Sequence, residues 1–141
     1  MKIARESIAV LMLSIVAFSA SARDRASILL SKELPGLKGE HLHATLLEVR
    51  YGPGEASKPH SHPCPVFGYV VEGSVRMRVE GEPEAIYNTG QTFYEAANGV
   101  HAVSANASNE EPAKFVAWLV CDHETPLSVD VVGKTQKGIQ R

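Results

Sequence analysis

No stretch of the 141-residue sequence carries a sustained helical period of apolar residues, and no internal repeat or low-complexity tract occurs. Helical bundles and repeat solenoids are thereby set aside. Charge of one sign is also lacking, with 14 Lys and Arg against 16 Asp and Glu and a formal net charge of -2. A nucleic-acid backbone needs a clustered basic surface, so no nucleic acid is expected as a partner. Nor does the apolar run Ile8 to Phe18, 11 residues long, approach the roughly 20 residues that span a bilayer. What remains is a chain with 44% hydrophobic residues, enough for one compact domain.

The hydrophobic share is concentrated at the start. Lys2 and Arg5 precede the Ile8 to Phe18 run, and Ala20-Ser21-Ala22 follows it. A basic start, a short apolar middle and a small-x-small end predict a secretory signal peptide over 1–22, cleaved after Ala22. No membrane span is expected once it is removed. Taking 22 residues from 141 leaves 119, and the loss of Lys2, Arg5 and Glu6 makes the net charge -3. The expected location is periplasmic or secreted. There the 2 cysteines, Cys64 and Cys121, favour a disulfide over a reactive thiol.

From 23 to 40 the chain has no clear period, and Pro35-Gly36 and Gly39 mark turns, so this segment reads as an N-terminal arm. A domain over 41–132 and a tail over 133–141 complete the division. Within the domain, short runs bounded by Gly, Pro or Asn read as strands: His41 to Tyr51, Val66 to Val71, Ser74 to Val79, Ala85 to Tyr87, Thr92 to Glu95, His101 to Asn106, Lys114 to Cys121 and Leu127 to Val132. In the third run Val75, Met77 and Val79 alternate with Arg76 and Arg78, the pattern of a strand with one wet face. Lys114 to Cys121 is more uniformly apolar and reads as a central strand. Strands at this spacing predict an all-β sandwich or barrel.

The richest segment runs from Gly54 to Val66 and contains His60-Ser61-His62. On a strand, the two-residue spacing turns both imidazoles to one face, where they suit a divalent metal. A solvated loop is the alternative. His101, after the turn Asn98-Gly99, supplies a third imidazole if the two segments meet across a closed barrel.

These residues resemble the cupin superfamily, and the small exported single-cupin proteins of bacteria in particular. Gly54, His60, His62 and Gly73 keep the spacing of the first cupin motif, with Val66 where that motif has Glu. Gly90 and His101 keep the spacing of the second, with Ala96 in place of Pro, Asn98 in place of Gly, and the closing Asn one place late at Asn106. Asn is the next best residue to Gly for a left-handed turn. The resemblance covers about His41 to Cys121. It implies a single-domain jelly-roll β-barrel in which His60, His62 and His101 converge as ligands of one divalent ion. Fe(II) is favoured, with Zn, Mn, Ni or Cu as alternatives.

With Val66 at the Glu position, the implied site offers three neutral ligands and at least one more open coordination position. Three-His cupins that cleave small molecules with Fe(II) and O2 make a metal-dependent oxygenase, of dioxygenase type, the leading expectation. Zn(II) with bound hydroxide is the competing set. A non-catalytic binding or sensing cupin and a metal-dependent isomerase or lyase are the alternatives in function. The expected partner is a small polar molecule held in the barrel.

Glu95, six residues before His101, is a candidate to reach the metal or act as a general base, and Tyr94 is a candidate proton-transfer partner. A charge at the solvated barrel rim is the alternative for Glu95. Tyr69, Met77, Phe93 and Trp118 are candidates to line the pocket, with plain core as the alternative. Glu72, in Val70-Val71-Glu72-Gly73-Ser74, reads as part of a tight hairpin. His41, His43 and His123 read as surface residues. The jelly-roll resemblance implies that the strand after the His-x-His loop pairs with the last long strand, which brings Cys64 and Cys121 together as a disulfide. It also implies a possible homodimer, through a sheet face or an exchanged arm formed by Ala26 to Lys38.

Overall fold

The computed structural model describes residues 26–39 and 41–131. The expected signal peptide over 1–22, the start of the arm and the tail over 133–141 lie outside the described residues.

Among the described residues nine strands follow in order: β1 His43–Tyr51, β2 His60–Ser61, β3 Val66–Glu72, β4 Ser74–Val79, β5 Ala85–Asn88, β6 Thr92–Glu95, β7 Val100–Asn106, β8 Ala113–Cys121 and β9 Val129–Asp130. They pair antiparallel into a four-stranded sheet, β1-β8-β3-β6, and a five-stranded sheet, β5-β4-β7-β2-β9. Facing one another, the two sheets form the all-β barrel that the strand pattern predicts, in the jelly-roll form that the cupin resemblance implies. Among the described residues no helix is long and apolar enough to cross a membrane.

Side-chain alternation decides what each sheet buries. In β4, Val75 and Met77 turn inward and Arg78 is exposed. In β8, Ala113, Phe115, Ala117, Leu119 and Cys121 are buried, and Trp118 is half exposed on the other face. Val66, Val70, Val75 and Leu119 are the largest fully enclosed side chains, each contributing roughly 1.5–3 kcal/mol by leaving water. Phe93 lies across its cross-strand partner Gly68, where a Cβ would fall 2.0 Å from the ring. That close approach seats the ring against Tyr87 and Phe115 at centroid distances of 5.4 and 5.6 Å.

Two local expectations change. Val70 to Ser74 is not a hairpin, because β3 and β4 belong to different sheets. Gly73 forms a corner between them at φ 68, where a Cβ would meet the Pro112 carbonyl at 2.3 Å. Glu72 pairs with Lys114 at 3.1 Å. Of the last expected strand, Leu127 to Val132, the described residues form Val129–Asp130, which pairs with the equally short β2, and Val132 lies outside the described residues.

The arm residues 26–39 carry no regular secondary structure. Thr92 Oγ1 donates to the Leu29 carbonyl at 3.2 Å, and the Lys32 ammonium lies 5.0 Å over the Tyr94 ring.

Candidate metal centre

The three histidines of the two motifs meet inside the barrel. His60 on β2 and His101 on β7 are direct cross-strand partners, and His62 follows one residue after β2. The ring centroids are 4.9 Å apart for His60 and His62, 5.3 Å for His60 and His101, and 5.8 Å for His62 and His101. Three imidazoles that each aim a nitrogen at one ion from about 2.1 Å have centroids about 5 Å apart.

Backbone contacts hold this arrangement. Asn98 has φ 63, the left-handed turn expected of an Asn in the place of Gly, and its N–H donates to the His62 carbonyl at 2.7 Å. The loop of the first motif is thus tied to the turn of the second. A disulfide joins Cys64, two residues beyond His62, to Cys121 at the end of β8, with Cα atoms 5.2 Å apart.

Tautomers are fixed in the same way. His60 Nδ1 lies 2.8 Å from the Lys58 carbonyl and His62 Nδ1 lies 2.6 Å from the Leu127 carbonyl. A carbonyl only accepts, so each Nδ1 carries the proton and each Nε2 presents its lone pair. Burial pushes the His60 pKa below its ordinary 6.5, and positive charge on His62 or His101 pushes it the same way against the Lys58 carbonyl. A neutral imidazole is the form that ligates.

Glu95 completes the cluster. It ends β6 directly opposite Val66 in the β3–β6 register. Glu95 is 6% exposed and Val66 1%, so the carboxylate enters the interior from the strand that faces the motif position. Its Oε2 lies 2.8 Å from His101 Nε2 and 3.6 Å from His62 Nε2. Despite that proximity, Glu95 Oε2 and both nitrogens of His101 are buried without a well-aligned hydrogen bond. Buried polar groups are nearly always satisfied, and each that is not costs about 1–3 kcal/mol. The four groups converge, although among the described residues no three His, Cys, Asp or Glu form a finished metal cage. In donor chemistry, tautomer and ring spacing they fit a divalent ion.

The remaining candidates are divided by the sheet. Phe93 and Met77 are buried in the interior. Tyr69 and Trp118 instead border an apolar groove of about 690 Å³ on the outer face of the four-stranded sheet, under the arm residues Ile28 to Leu30. Tyr94 points the same way, with its ring 5.4 Å from that of Phe67. One residue along a strand reverses the side chain, so Tyr94 faces out where Glu95 faces in. His41 and His43 are exposed, and His123 Nδ1 lies 2.6 Å from Asp122 Oδ1 at the surface. Sequence reasoning passed over Tyr51 and Ser104. Both are buried, and they border the same small interior cavity as the histidines. An apolar-polar alternation at the end of β1 was the available signal.

The cupin domain family matches residues 47–119. No curated protein matches the sequence. Among solved structures, a cupin-like protein of Thermotoga maritima has a TM-score of 0.56 at 22% identity, over 67% of this chain and 68% of its own. A DMSP lyase of Ruegeria pomeroyi has a TM-score of 0.55 at 18% identity over 67% of this chain, which spans 45% of the lyase. Oxalate decarboxylase of Bacillus subtilis has a TM-score of 0.54 at 22% identity, over 73% of this chain and 31% of its own. At these identities the likeness concerns the fold.

Proposed function

The chain belongs to the cupin domain family, and on that premise we propose that it is an exported, metal-dependent enzyme acting on a small polar molecule. His60 and His62 would hold the ion through Nε2, together with His101, and Glu95 would serve as the anionic fourth donor. One observation carries this reading: Glu95 Oε2 and both nitrogens of His101 are buried together, 2.8 Å apart at Oε2 and Nε2, without a well-aligned hydrogen bond. A cation is the group that satisfies a buried carboxylate and neutral imidazoles at once.

Fe(II) would supply positions for a chelating substrate and O2, as in an oxygenase, whereas Zn, Mn, Ni or Cu would supply Lewis-acid polarisation for a lyase or isomerase. The protein's own share is definable. The Lys58 and Leu127 carbonyls hold two rings in the ligating tautomer. If Glu95 stands beside the ion instead of ligating it, its carboxylate would take a proton from a bound substrate and return it. The Cys64–Cys121 disulfide supports the reading of an oxidising, extracytoplasmic location.

Purification without chelators and elemental analysis test the proposal. About one ion per chain is expected, with strong loss in His60→Ala and His101→Ala. A folded wild-type protein that takes up no Fe, Mn, Zn, Ni, Cu or Co would overturn it. Bound iron favours oxygenase chemistry, and zinc favours lyase or isomerase chemistry.

A further inference from the structure

Beyond the histidines and Glu95, the barrel interior holds a second polar group. Tyr51, the last residue of β1, is 5% exposed, and its hydroxyl lies 2.9 Å from Ser104 Oγ and 2.6 Å from Ser57 Oγ. Ser104 is buried on β7, three residues after His101, whereas Ser57 is exposed, three residues before His60. Tyr51, Ser57 and Ser104 line one cavity of about 70 Å³ together with His60, His101 and Glu95. The apolar rest of its lining is Leu47 and Val49 of β1, Val66 of β3, and Phe115 and Ala117 of β8.

The proton count gives this chain of hydroxyls a use. Two hydrogen bonds among three hydroxyls consume two of their three protons. If Ser104 donates to Tyr51 and Tyr51 to Ser57, the spare proton sits at Ser57, where water takes it. If the chain runs the other way, Ser104 holds the spare proton inside the barrel, where a cavity occupant can accept it. The cavity holds about two waters' share of volume, or roughly four to five non-hydrogen atoms.

We propose that Ser57, Tyr51 and Ser104 form the second pole of the binding site, selecting short, two-ended ligands. The ligand is a carboxylate whose charged end meets the histidine cluster and whose hydroxyl or carbonyl, one or two carbons away, is received by the Tyr51–Ser104 pair. This rests on the metal-dependent reading for the charged end alone.

Titration calorimetry on the protein as purified tests it with glycolate and propionate, which have equal numbers of heavy atoms but two polar ends and one, respectively. Wild type binds glycolate at least about tenfold more tightly than propionate, the worth of one hydrogen bond to a buried partner. Tyr51→Phe keeps the ring packed against Phe115, 5.9 Å away, and loses the preference while still binding propionate. Ser104→Ala gives the same result and serves if Tyr51→Phe does not fold. No preference in wild type, no binding of either probe, or a preference that survives in the folded variants overturns the proposal. Wild type that prefers glycolate yet contains no metal overturns the metal centre and leaves the second pole standing.

Discussion

Replacing Glu95 by Gln separates a site built for a cation from a structural ion pair, because the two predict opposite signs. In the metal-free protein the Glu95 carboxylate is buried across from Val66, with Oε2 beside His101 but without a well-aligned hydrogen bond. An unsatisfied buried group of this kind costs about 1–3 kcal/mol, and more when charged. Glu95→Gln keeps the shape and removes the charge. It should therefore stabilise the metal-free protein by about 1–2 kcal/mol, and in a domain of this size each kcal/mol raises Tm by about 4–8 °C. The same substitution deletes the anionic donor, so affinity for a divalent ion falls at least about tenfold, or about 1.4 kcal/mol. Metal that binds only the folded state then raises Tm less in the variant than in wild type. Thermal melts followed by circular dichroism, with chelator and with excess Zn(II) or Co(II), give both quantities. The reasoning is refuted if Glu95→Gln lowers the metal-free Tm by several degrees and leaves the metal-induced rise intact, for then the Glu95–His101 contact is a stabilising pair.

Removing the disulfide by Cys64→Ala with Cys121→Ala releases a loop with a sequence separation of 57. The chain-entropy estimate is a loss of about 4 kcal/mol in urea denaturation, with weaker metal uptake because Cys64 lies close to His62. At Asn98, φ 63 makes Asn98→Gly neutral within about 0.5 kcal/mol, whereas Asn98→Val costs about 1–2 kcal/mol and loosens the bond to the His62 carbonyl, as denaturation and metal affinity will report. Acidification is the third lever. His60 has a folded pKa below its ordinary 6.5, so the folded state binds fewer protons than the unfolded chain. The stability from keeping it neutral is complete above about pH 6.5 and is lost as pH falls through the folded value. The Tm of the metal-free protein should drop between pH 7 and 5, and His60→Asn should flatten that slope.

Much of the barrel is legible in the sequence because its inner face is marked by contrast. Val75 and Met77 against Arg76 and Arg78 give both the period and the side, and β4 lies as that contrast requires. Where a strand is apolar on both faces the period survives but the side is lost. Tyr69, Phe93 and Trp118 are equivalent as apolar strand residues, yet Tyr69 and Trp118 face the groove beneath the arm and Phe93 faces the core. Gly73 is ambiguous for another reason. A hairpin and a corner between sheets both need a left-handed residue there, and only the pairing of β3 and β4 with different partners distinguishes them.

The carboxylate is the sharpest case, because spacing along one strand reports only what that strand contributes. Val66 takes the Glu position of the first motif, which by itself reads as a site short of an anion. The interior, however, is shared by neighbouring strands. Directly opposed residues have Cβ atoms about 4.5–5.5 Å apart and side chains on the same face of the sheet. An acid at 95 therefore faces the same volume that an acid at 66 would face, provided that the register pairs the two, as it does here. In the sequence, the sign was an acid at the second inward position of Thr92-Phe93-Tyr94-Glu95, where Phe93 marks which side is in. Reading it as an interior group required knowing its neighbour 29 residues earlier, and that pairing is fixed by the fold as a whole rather than by any local pattern. A valine and a glutamate exchanged across one strand pair leave the charge of the cavity unchanged while altering both strands' sequences. Val66 therefore does not make this an anion-free barrel.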